Sequence, residues 1–352
     1  MLKTIKIPYE LSSQNQLTMP LNFGKNPTTF LGIKFDKDYS HFFCLSYLNK
    51  PTIIKNITVY HTSYSTNISE VVDIISLGEY KINLKFYLFH YDVFPKSLGF
   101  AFSFNNNDFS IVHSLKQSNL TDHLSFSFVP KGEKGGDIYF GRIPSDIIKG
   151  KQKANCQVTK GIIWNCELKE VWVDDYKYIN KYFMKIRGAS STLVPDDFFL
   201  YLQRTFFNVG NSLHFSGDSN TIFCGMEYIN QVNGTISFII GDYKFEIKLY
   251  DLFICDNERQ NICRFQMVRN EKVPNQWELG LSIWNKYITT FDYENEEIQF
   301  FSESIFQKMF LKDSKTITIH KKISVLICVL LLIYLTIFSI VLLFINGIYY
   351  KQ

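Results

Sequence analysis

Short segments in which apolar and polar residues alternate fill most of the chain. Examples are LTMPLNFG from residue 17, KINLKFYLFHYDVF from residue 81 and KYITTFDYENEEIQFF from residue 286. A period of two is typical of half-buried antiparallel strands. The stretches KGEKGG, IGDYK and YENEE supply Gly, Asp and Asn for hairpin turns. Helical periodicity is limited to 108–120, 195–207 and 302–310. The pattern therefore predicts a mainly β domain.

A second pattern begins near the C-terminus, where residues 323–350 contain no charged side chain. As a helix, such a run is long enough to cross the roughly 30 Å hydrocarbon core of a bilayer. We therefore predict a transmembrane helix at 323–346 with the lipid bilayer as its partner. The polar segment 311–322 is then a stalk and 347–352 a short tail.

Charge and composition exclude some functions and favour none. The net charge is +4 and the basic residues are spread along the chain, whereas binding to nucleic acid calls for a dense basic face. The seven cysteines include no CxxC pair and no zinc spacing, and the seven histidines are scattered. We expect no metal, no cofactor and no nucleic-acid partner.

Several segments, taken in order, resemble the pepsin-like aspartic protease family. The C-terminal segment WELGLSIWNKYITTFDYENEEIQFF, residues 277–301, is similar to the family's closing strands. The family's opening hairpin, the stretch after its flap and a later strand pair are matched by MPLNFGKNPTTFLGIKFD, VVDIISLGEYKINLKF and FSFVPKGEKGGDIYFGRIP. The resemblance implies a bilobal pepsin-like fold, with lobes at 1–157 and 158–310, followed by the transmembrane helix. It also implies a Cys224–Cys263 disulfide that leaves Cys255 unpaired; pairing of Cys156 with Cys166 stays open.

The catalytic signature of that family is altered in this chain. Aspartic proteases use two facing carboxylates that share a proton, one as base on a bound water and one as acid. The resemblance places the first at Asp36 and the second at Ile186, which has no carboxyl group. Asp38 stands in place of the family's Gly in the first turn. Gly188, Ala189 and Ser190 match the second turn.

The resemblance also implies a cleft covered by a tyrosine. Tyr60 and Tyr64 are the two candidates for that position. We assign Asp38, Tyr60, Tyr64, Gly188, Ala189 and Ser190 to the binding cleft. An extended peptide or protein segment is its expected ligand, because this fold binds peptides mainly through backbone hydrogen bonds.

Three functions are compatible with these observations. The first is a membrane-anchored, non-catalytic homologue that keeps a peptide-binding cleft. The second is an active aspartic endopeptidase of unusual geometry, and the third is an unrelated β-rich adhesive or structural ectodomain.

Two features of the sequence place the domain on opposite sides of the membrane. Glycosylation sequons at Asn56, Asn67, Asn119 and Asn233 favour a lumenal or extracellular domain. Lysines at 321 and 322 favour a cytosolic one. We predict a single-pass membrane protein whose domain is lumenal or extracellular.

Overall fold

The computed structural model describes most of the chain before residue 309. The described residues are 3–12, 17–23, 29–34, 42–44, 52–60, 65–89, 97–99, 110–132, 134–158, 164–178, 182–208, 215–217, 220–256, 262–270, 276–303 and 307–308. The predicted stalk, transmembrane helix and tail lie outside them.

Strands dominate the described residues, as the alternating pattern predicts. In chain order they are β1 (Ile5–Leu11), β2 (Leu17–Phe23), β3 (Thr29–Lys34), β4 (Phe42–Cys44), β5 (Thr52–Tyr60), β6 (Ser65–Leu77), β7 (Tyr80–Phe89), β8 (Ser97–Gly99), β9 (Ser125–Pro130), β10 (Gly135–Phe140), β11 (Gln152–Gln157), β12 (Asn165–Val173), β13 (Tyr176–Tyr178), β14 (Tyr182–Ile186), β15 (Thr192–Val194), β16 (Phe215–Gly217), β17 (Ile222–Gly225), β18 (Thr235–Ile240), β19 (Tyr243–Lys248), β20 (Phe253–Asp256), β21 (Ile262–Phe265), β22 (Met267–Arg269), β23 (Trp277–Leu279), β24 (Ile288–Asp292), β25 (Glu297–Ser302) and β26 (Gln307–Lys308).

The helices are short and connect strands. They are α1 (Ile111–Gln117), α2 (Ser145–Ile148), α3 (Asp196–Leu202) and α4 (Leu281–Trp284), with a π-helical turn at Gln203–Phe207 and 3-10 turns at Met226–Gln231 and Leu249–Leu252. Two predicted helical regions, 108–120 and 195–207, contain α1 and α3. The third, 302–310, is wrong: Ser302 ends β25, and Gln307–Lys308 pairs with β19 as a strand. Strand pairing there overrides the local apolar spacing.

The described strands form three sheets. The largest has the order β11-β25-β24-β9-β10-β1-β2-β3-β8-β4-β7-β6-β5. The second runs β22-β15-β23-β14-β12-β18-β19-β26, with β13 beside β12, and the third runs β16-β17-β21-β20. Strands β24 and β25 come from the end of the domain, yet they pair with β9 and β11. The closing strands therefore join a sheet that is built mainly from the first half of the chain.

The same arrangement of four strands occurs once in each half of the chain. In the first half, β3 pairs in parallel with β8, β8 antiparallel with β4, and β4 in parallel with β7. In the second half, β14, β23, β15 and β22 repeat this order and these directions. The connection from β3 to β4 carries Asp36 and Asp38, and its counterpart from β14 to β15 carries residues 187–191. The two predicted catalytic turns thus occupy equivalent places in the topology.

Aromatic side chains hold the junction between these halves. The rings of Phe126 and Phe291 stack with centroids 4.8 Å apart, and Trp164 meets Phe291 edge-on at 5.0 Å and Tyr293 at 4.8 Å. All four side chains are buried. Such pairs stabilise a core beyond the area that they bury, so strands β9 and β24 are fixed against the start of β12.

A buried histidine fixes the turn between β24 and β25. His123 Nε2 lies 3.1 Å from both carboxylate oxygens of Asp292, and its Nδ1 lies 2.7 Å from Glu294 Oε2. Asp292 Oδ1 also accepts hydrogen bonds from the Glu294 and Asn295 amides, and its Oδ2 accepts one from Asn295 Nδ2 at 2.7 Å. Asp292 and Asn295 both belong to the closing segment that resembles the family, and they fall on an Asp and an Asn of its pattern. Their contacts explain why the hairpin needs them.

Glu294 makes the stability of this turn dependent on pH. Desolvation acts to raise the pKa of Glu294, but hydrogen bonds from Lys116 Nζ and the Leu124 amide, and the charge of His123, outweigh it and hold the pKa below its usual value. A carboxylate of lowered pKa stabilises the fold above its unfolded pKa, and that stability is lost as the pH falls. We expect Glu294→Gln to cost about 1 kcal/mol of unfolding free energy at pH 7, and the cost to shrink below about pH 4.5.

Urea unfolding at pH 7 and pH 4 measures this difference. Glu303→Gln is the matched control, because Glu303 also pairs with a lysine, Lys151, but its side chain is 85% exposed. We expect the control to change stability less than Glu294→Gln at pH 7. A cost for Glu294→Gln that is the same at both pH values would contradict the assignment.

Two disulfides cross-link the described strands. Cys156–Cys166 joins β11 to β12, which resolves the pairing that the sequence left open, and Cys255–Cys263 joins β20 to β21. The predicted Cys224–Cys263 pairing is therefore wrong, and among the cysteines whose side chains the structure describes, Cys224 is the free one. The physical reason is that β21 lies between β17 and β20, so Cys263 faces a cysteine on each side and bonds to Cys255.

Candidate functional site

The connection between β14 and β15 forms the best described part of the candidate site. The Ala189 carbonyl accepts a hydrogen bond from the Leu281 amide at 2.9 Å, and the Ser190 carbonyl accepts one from the Ser282 amide at 3.0 Å. Trp284 Nε1 donates to the Arg187 carbonyl at 2.9 Å. These bonds hold residues 187–190, which include the predicted site residues Gly188, Ala189 and Ser190, against α4.

Gly280 permits this close approach. A Cβ added at Gly280 would lie 2.4 Å from the Ser191 carbonyl oxygen and 2.5 Å from that of Ser190. The Gly280 amide donates to Thr192 Oγ1 at 3.0 Å, which ties the same residue to the start of β15. The loop therefore depends on a residue without a side chain at position 280.

Ile186, which the family resemblance places at the second carboxylate position, belongs to the core. It is fully buried, its amide donates to the Trp164 carbonyl at 2.9 Å, and it pairs with Leu279 across β23. An aliphatic side chain can neither accept a proton nor hold a water molecule. The neighbouring Arg187 points its guanidinium toward Glu278, with Nη1 3.6 Å from Oε2, and a guanidinium does not serve as a base.

A cleft of about 860 Å³ opens beside this loop. Its walls come from both halves of the chain and consist of Leu11, Pro130, Gly132, Lys134, Ser190, Met226, Asp251, Phe253, Ile254, Cys255, Leu281, Ser282, Asn285 and Lys286. This mixture of apolar surface and a few polar groups is typical of ligand sites, and the volume lies in their range. Among the predicted site residues that the structure describes, Ser190 lines it, and its Oγ donates to Gln266 Oε1 at 2.9 Å. Leu281, the first residue of α4, also lines the cleft.

Strands of the first half touch the loop and α4 directly. The Leu17 amide lies 3.4 Å from the Gly188 carbonyl, and Tyr9 Oη donates to Asn285 Oδ1 at 2.7 Å. Burial raises the pKa of Tyr9 far above its usual value, so the phenol stays protonated and keeps this bond. These bonds link strands of the first half to the loop and to Asn285, which lines the cleft.

Asp36 and Asp38 lie outside the described residues, but the register of the preceding strand β3 can be compared with that of β14. Ile33 pairs with Leu98 next to Gly99, just as Ile186 pairs with Leu279 next to Gly280. By this register the counterpart of Ile186 is Ile33, and Asp36 lies three residues further on. The assignment of Asp36 as the first catalytic residue stays a prediction.

The two candidate flap tyrosines belong to one hairpin. Tyr60 is the last residue of β5 and pairs with Ser65 of β6. Tyr64 lies in the connection outside the described residues, and the position of either ring over the cleft stays a prediction.

Several residues of the site are not apparent from the sequence. Gln266, Asn285 and Thr192 contact the loop or the first half through bonds that join distant parts of the chain. No local motif marks them. Among the described residues, no group of His, Cys, Asp and Glu is placed to hold a metal ion.

The structure describes the side chains of two of the four predicted sequons. Asn119 and Asn233 have exposed side chains, so both are open to modification. Asn56 and Asn67 lie in β5 and β6, where their side chains are outside the described part. Within the described residues, no helix combines the length and apolar character that a membrane crossing requires.

The duplicated four-strand arrangement and the loops that it presents define a pepsin-like aspartic-proteinase fold. The family model for eukaryotic aspartyl proteases matches residues 71–302. The chain therefore belongs to the eukaryotic aspartyl protease family. Among solved structures, it is similar to that of an aspartic proteinase from Irpex lacteus, with a TM-score of 0.65 and 12% identity over 88% of this chain and 99% of that chain. At that identity the likeness shows the fold alone. No curated protein matches the sequence.

Proposed function

We propose that this protein is a non-catalytic member of the family that binds an extended peptide in its cleft. The observation that carries the proposal is the fully buried Ile186 at the second carboxylate position. The shared-proton mechanism requires two carboxylates, and a buried isoleucine removes one of them together with its bound water. The register that aligns Ile33 with Ile186 supports the same conclusion for the first half.

The cleft retains what peptide binding needs. Ser190, Asn285 and Lys134 offer polar groups beside the apolar surfaces of Leu11 and Leu281. A peptide in an extended conformation gains affinity from backbone hydrogen bonds and specificity from pockets for alternate side chains. Neither contribution depends on catalytic carboxylates.

We further propose that residues 323–346 anchor the protein in a lipid bilayer, with its domain in a lumenal or extracellular compartment. The uncharged run of sequence supports the anchor. Two disulfides among the described residues and the exposed sequons at Asn119 and Asn233 support an oxidising compartment. The unrelated adhesive ectodomain is excluded by the family match.

A cleavage assay separates the non-catalytic protein from an active endopeptidase. The purified protein is incubated with a denatured-protein library from pH 3 to 7, with and without a pepstatin-type inhibitor and beside the Asp36→Ala variant. We expect no inhibitor-sensitive cleavage. Inhibitor-sensitive products that vanish in Asp36→Ala would establish the endopeptidase instead.

Peptide binding is tested separately with a variant that fills the cleft. A pool of extended peptides is captured on the immobilised protein and identified by mass spectrometry. Ser282→Trp places a large ring in the cleft and should reduce capture at least about tenfold. Ser145→Trp, at an exposed position outside the cleft lining, is the control and should leave capture unchanged. Equal capture by both variants would contradict binding in this cleft.

A further inference from the structure

Three cysteines lie in a row across the third sheet. Strand β21 runs between β17 and β20, and Cys263 is directly opposite Cys224 on one side and Cys255 on the other. Directly opposite residues of antiparallel strands project to the same face, with Cβ atoms about 4.5–5.5 Å apart. The three sulfur atoms therefore share one face of the sheet, with that of Cys263 in the middle.

The members of the row differ in exposure. Cys263 is fully buried and Cys224 is 4% exposed, whereas Cys255 is half-buried on the edge strand β20 and lines the cleft. The disulfide joins Cys255 to Cys263 and leaves the thiol on Cys224. The buried Cys224 therefore carries a free thiol, whereas Cys255, which lines the cleft, is bonded to Cys263.

We propose that Cys224, Cys263 and Cys255 form an intramolecular thiol–disulfide exchange site that releases the Cys255 thiol into the cleft as a modification site for a small thiol-reactive ligand. The Cys224 thiolate attacks Cys263 Sγ, a Cys224–Cys263 bond forms, and the Cys255–Cys263 bond breaks. The Cys255 sulfur leaves with the electron pair and takes up the proton that Cys224 lost. One disulfide and one thiol are present before and after, so the step needs neither oxidant nor reductant.

The order of the three cysteines across the sheet suits thiol–disulfide exchange. Thiol–disulfide exchange proceeds through attack of a thiolate on one sulfur of the disulfide, and Cys263 lies between the attacking and the leaving sulfur. Water at the cleft can solvate the departing Cys255 thiolate, which makes it the better leaving group. The exchange follows from the strand register that aligns the three cysteines, so it does not depend on which peptide the cleft binds.

Burial keeps the exchange slow. Desolvation, assisted by the charge of Glu227, raises the pKa of Cys224 to about 11. At pH 7 only about one Cys224 side chain in ten thousand is then a thiolate. The exchange is expected over long incubation rather than within a fast assay, and a trap for the released thiol is needed to see it.

The experiment traps the Cys255 thiol in the native full-length protein. The protein, purified without reductant, is incubated with iodoacetamide, digested without reduction and mapped by mass spectrometry. We expect alkylated Cys255 to accumulate together with a peptide pair joined by Cys224–Cys263. The Cys224→Ser variant should lose labelling of Cys255, and Cys44→Ser, which removes a cysteine outside the row, should retain it.

Two outcomes would overturn the exchange site. One is a wild-type protein that keeps the Cys255–Cys263 pair and acquires label only on Cys224. The other is equal labelling of Cys255 in wild type and Cys224→Ser, which would mean that Cys255 is freed by something other than Cys224. The Cys255→Ser variant is an independent check, since it should fold with a Cys224–Cys263 disulfide. The linkage map of the wild type needs no variant, so the test holds even if a substituted protein misfolds.

Discussion

Replacing Ile186 by Asp should destabilise the fold more at neutral than at acid pH. The site is fully buried, so desolvation would raise the pKa of the introduced carboxyl well above its usual value. The folded state then holds the proton to a higher pH than the unfolded state does. The charging penalty is therefore absent below about pH 4 and grows as the pH rises. At pH 7 we expect a loss of roughly 6 kcal/mol, about half from the lost packing and half from the buried charge.

Ile186→Asn separates these two contributions. The amide has nearly the shape of the carboxyl but does not ionise, so its cost of about 3 kcal/mol should not change with pH. Urea unfolding of both variants at pH 4 and pH 7, followed by the fluorescence of the buried Trp164, Trp277 and Trp284, gives the comparison. An Asp variant that matches the Asn variant at pH 7 would show that position 186 is hydrated or paired with a cation. That result would support the hypothesis that the protein is an active endopeptidase.

Much of the fold was predictable because its signals are local. The alternating segments around KGEKGG, IGDYK and YENEE form the hairpins β9–β10, β18–β19 and β24–β25. These were predictable because the residues of a turn and the alternation of side chains in a strand can be read from neighbouring positions in the sequence. The match of the closing segment to the family is equally local. Its Asp292 and Asn295 hold one turn through short-range bonds.

The predictions that were wrong concern residues whose partners are distant in sequence. The spacing of cysteines does not reveal that Cys263 has a neighbour on each side, because that follows from the order β17-β21-β20. The segment near Ser302 has helical spacing, yet β19 offers an edge with which Gln307–Lys308 pairs. Local preference is a weak guide wherever a sheet edge is within reach.

The candidate site shows the same division. Gly188, Ala189 and Ser190 could be proposed from the sequence because they belong to one motif, and the buried state of Ile186 agrees with its apolar character. Gln266 and Asn285 were not found, since each acts through one bond to a residue far away in the chain, Ser190 and Tyr9. A homologue can lose its carboxylate and keep this scaffold, because the loop is held by backbone bonds to α4 rather than by the side chain at position 186.

Gly280→Ala tests that scaffold directly. The added Cβ would meet backbone oxygens of Ser190 and Ser191 at 2.4–2.5 Å, and backbone cannot rotate away as a side chain can. The loop must move off α4, which breaks the Ala189–Leu281 and Ser190–Ser282 hydrogen bonds. We expect a loss of about 3 kcal/mol or more and a fall in Tm of about 6 °C or more. Thermal unfolding measures the change.

Gly225→Ala is the matched control for this substitution. Gly225, like Gly280, has an extended backbone before a helical turn, with φ of −70° against −86°. The three atoms nearest to a Cβ added at Gly225 all belong to the carboxylate end of Glu227, with Oε1 at 2.7 Å, and that flexible side chain can rotate away. Its cost should stay near 0.5 kcal/mol, with peptide capture retained, whereas Gly280→Ala should also lose capture because Ser190 and Ser282 move. If both variants lose stability equally, the loop does not rely on its contact with Gly280, and the scaffold that we assign to the cleft is held in some other way.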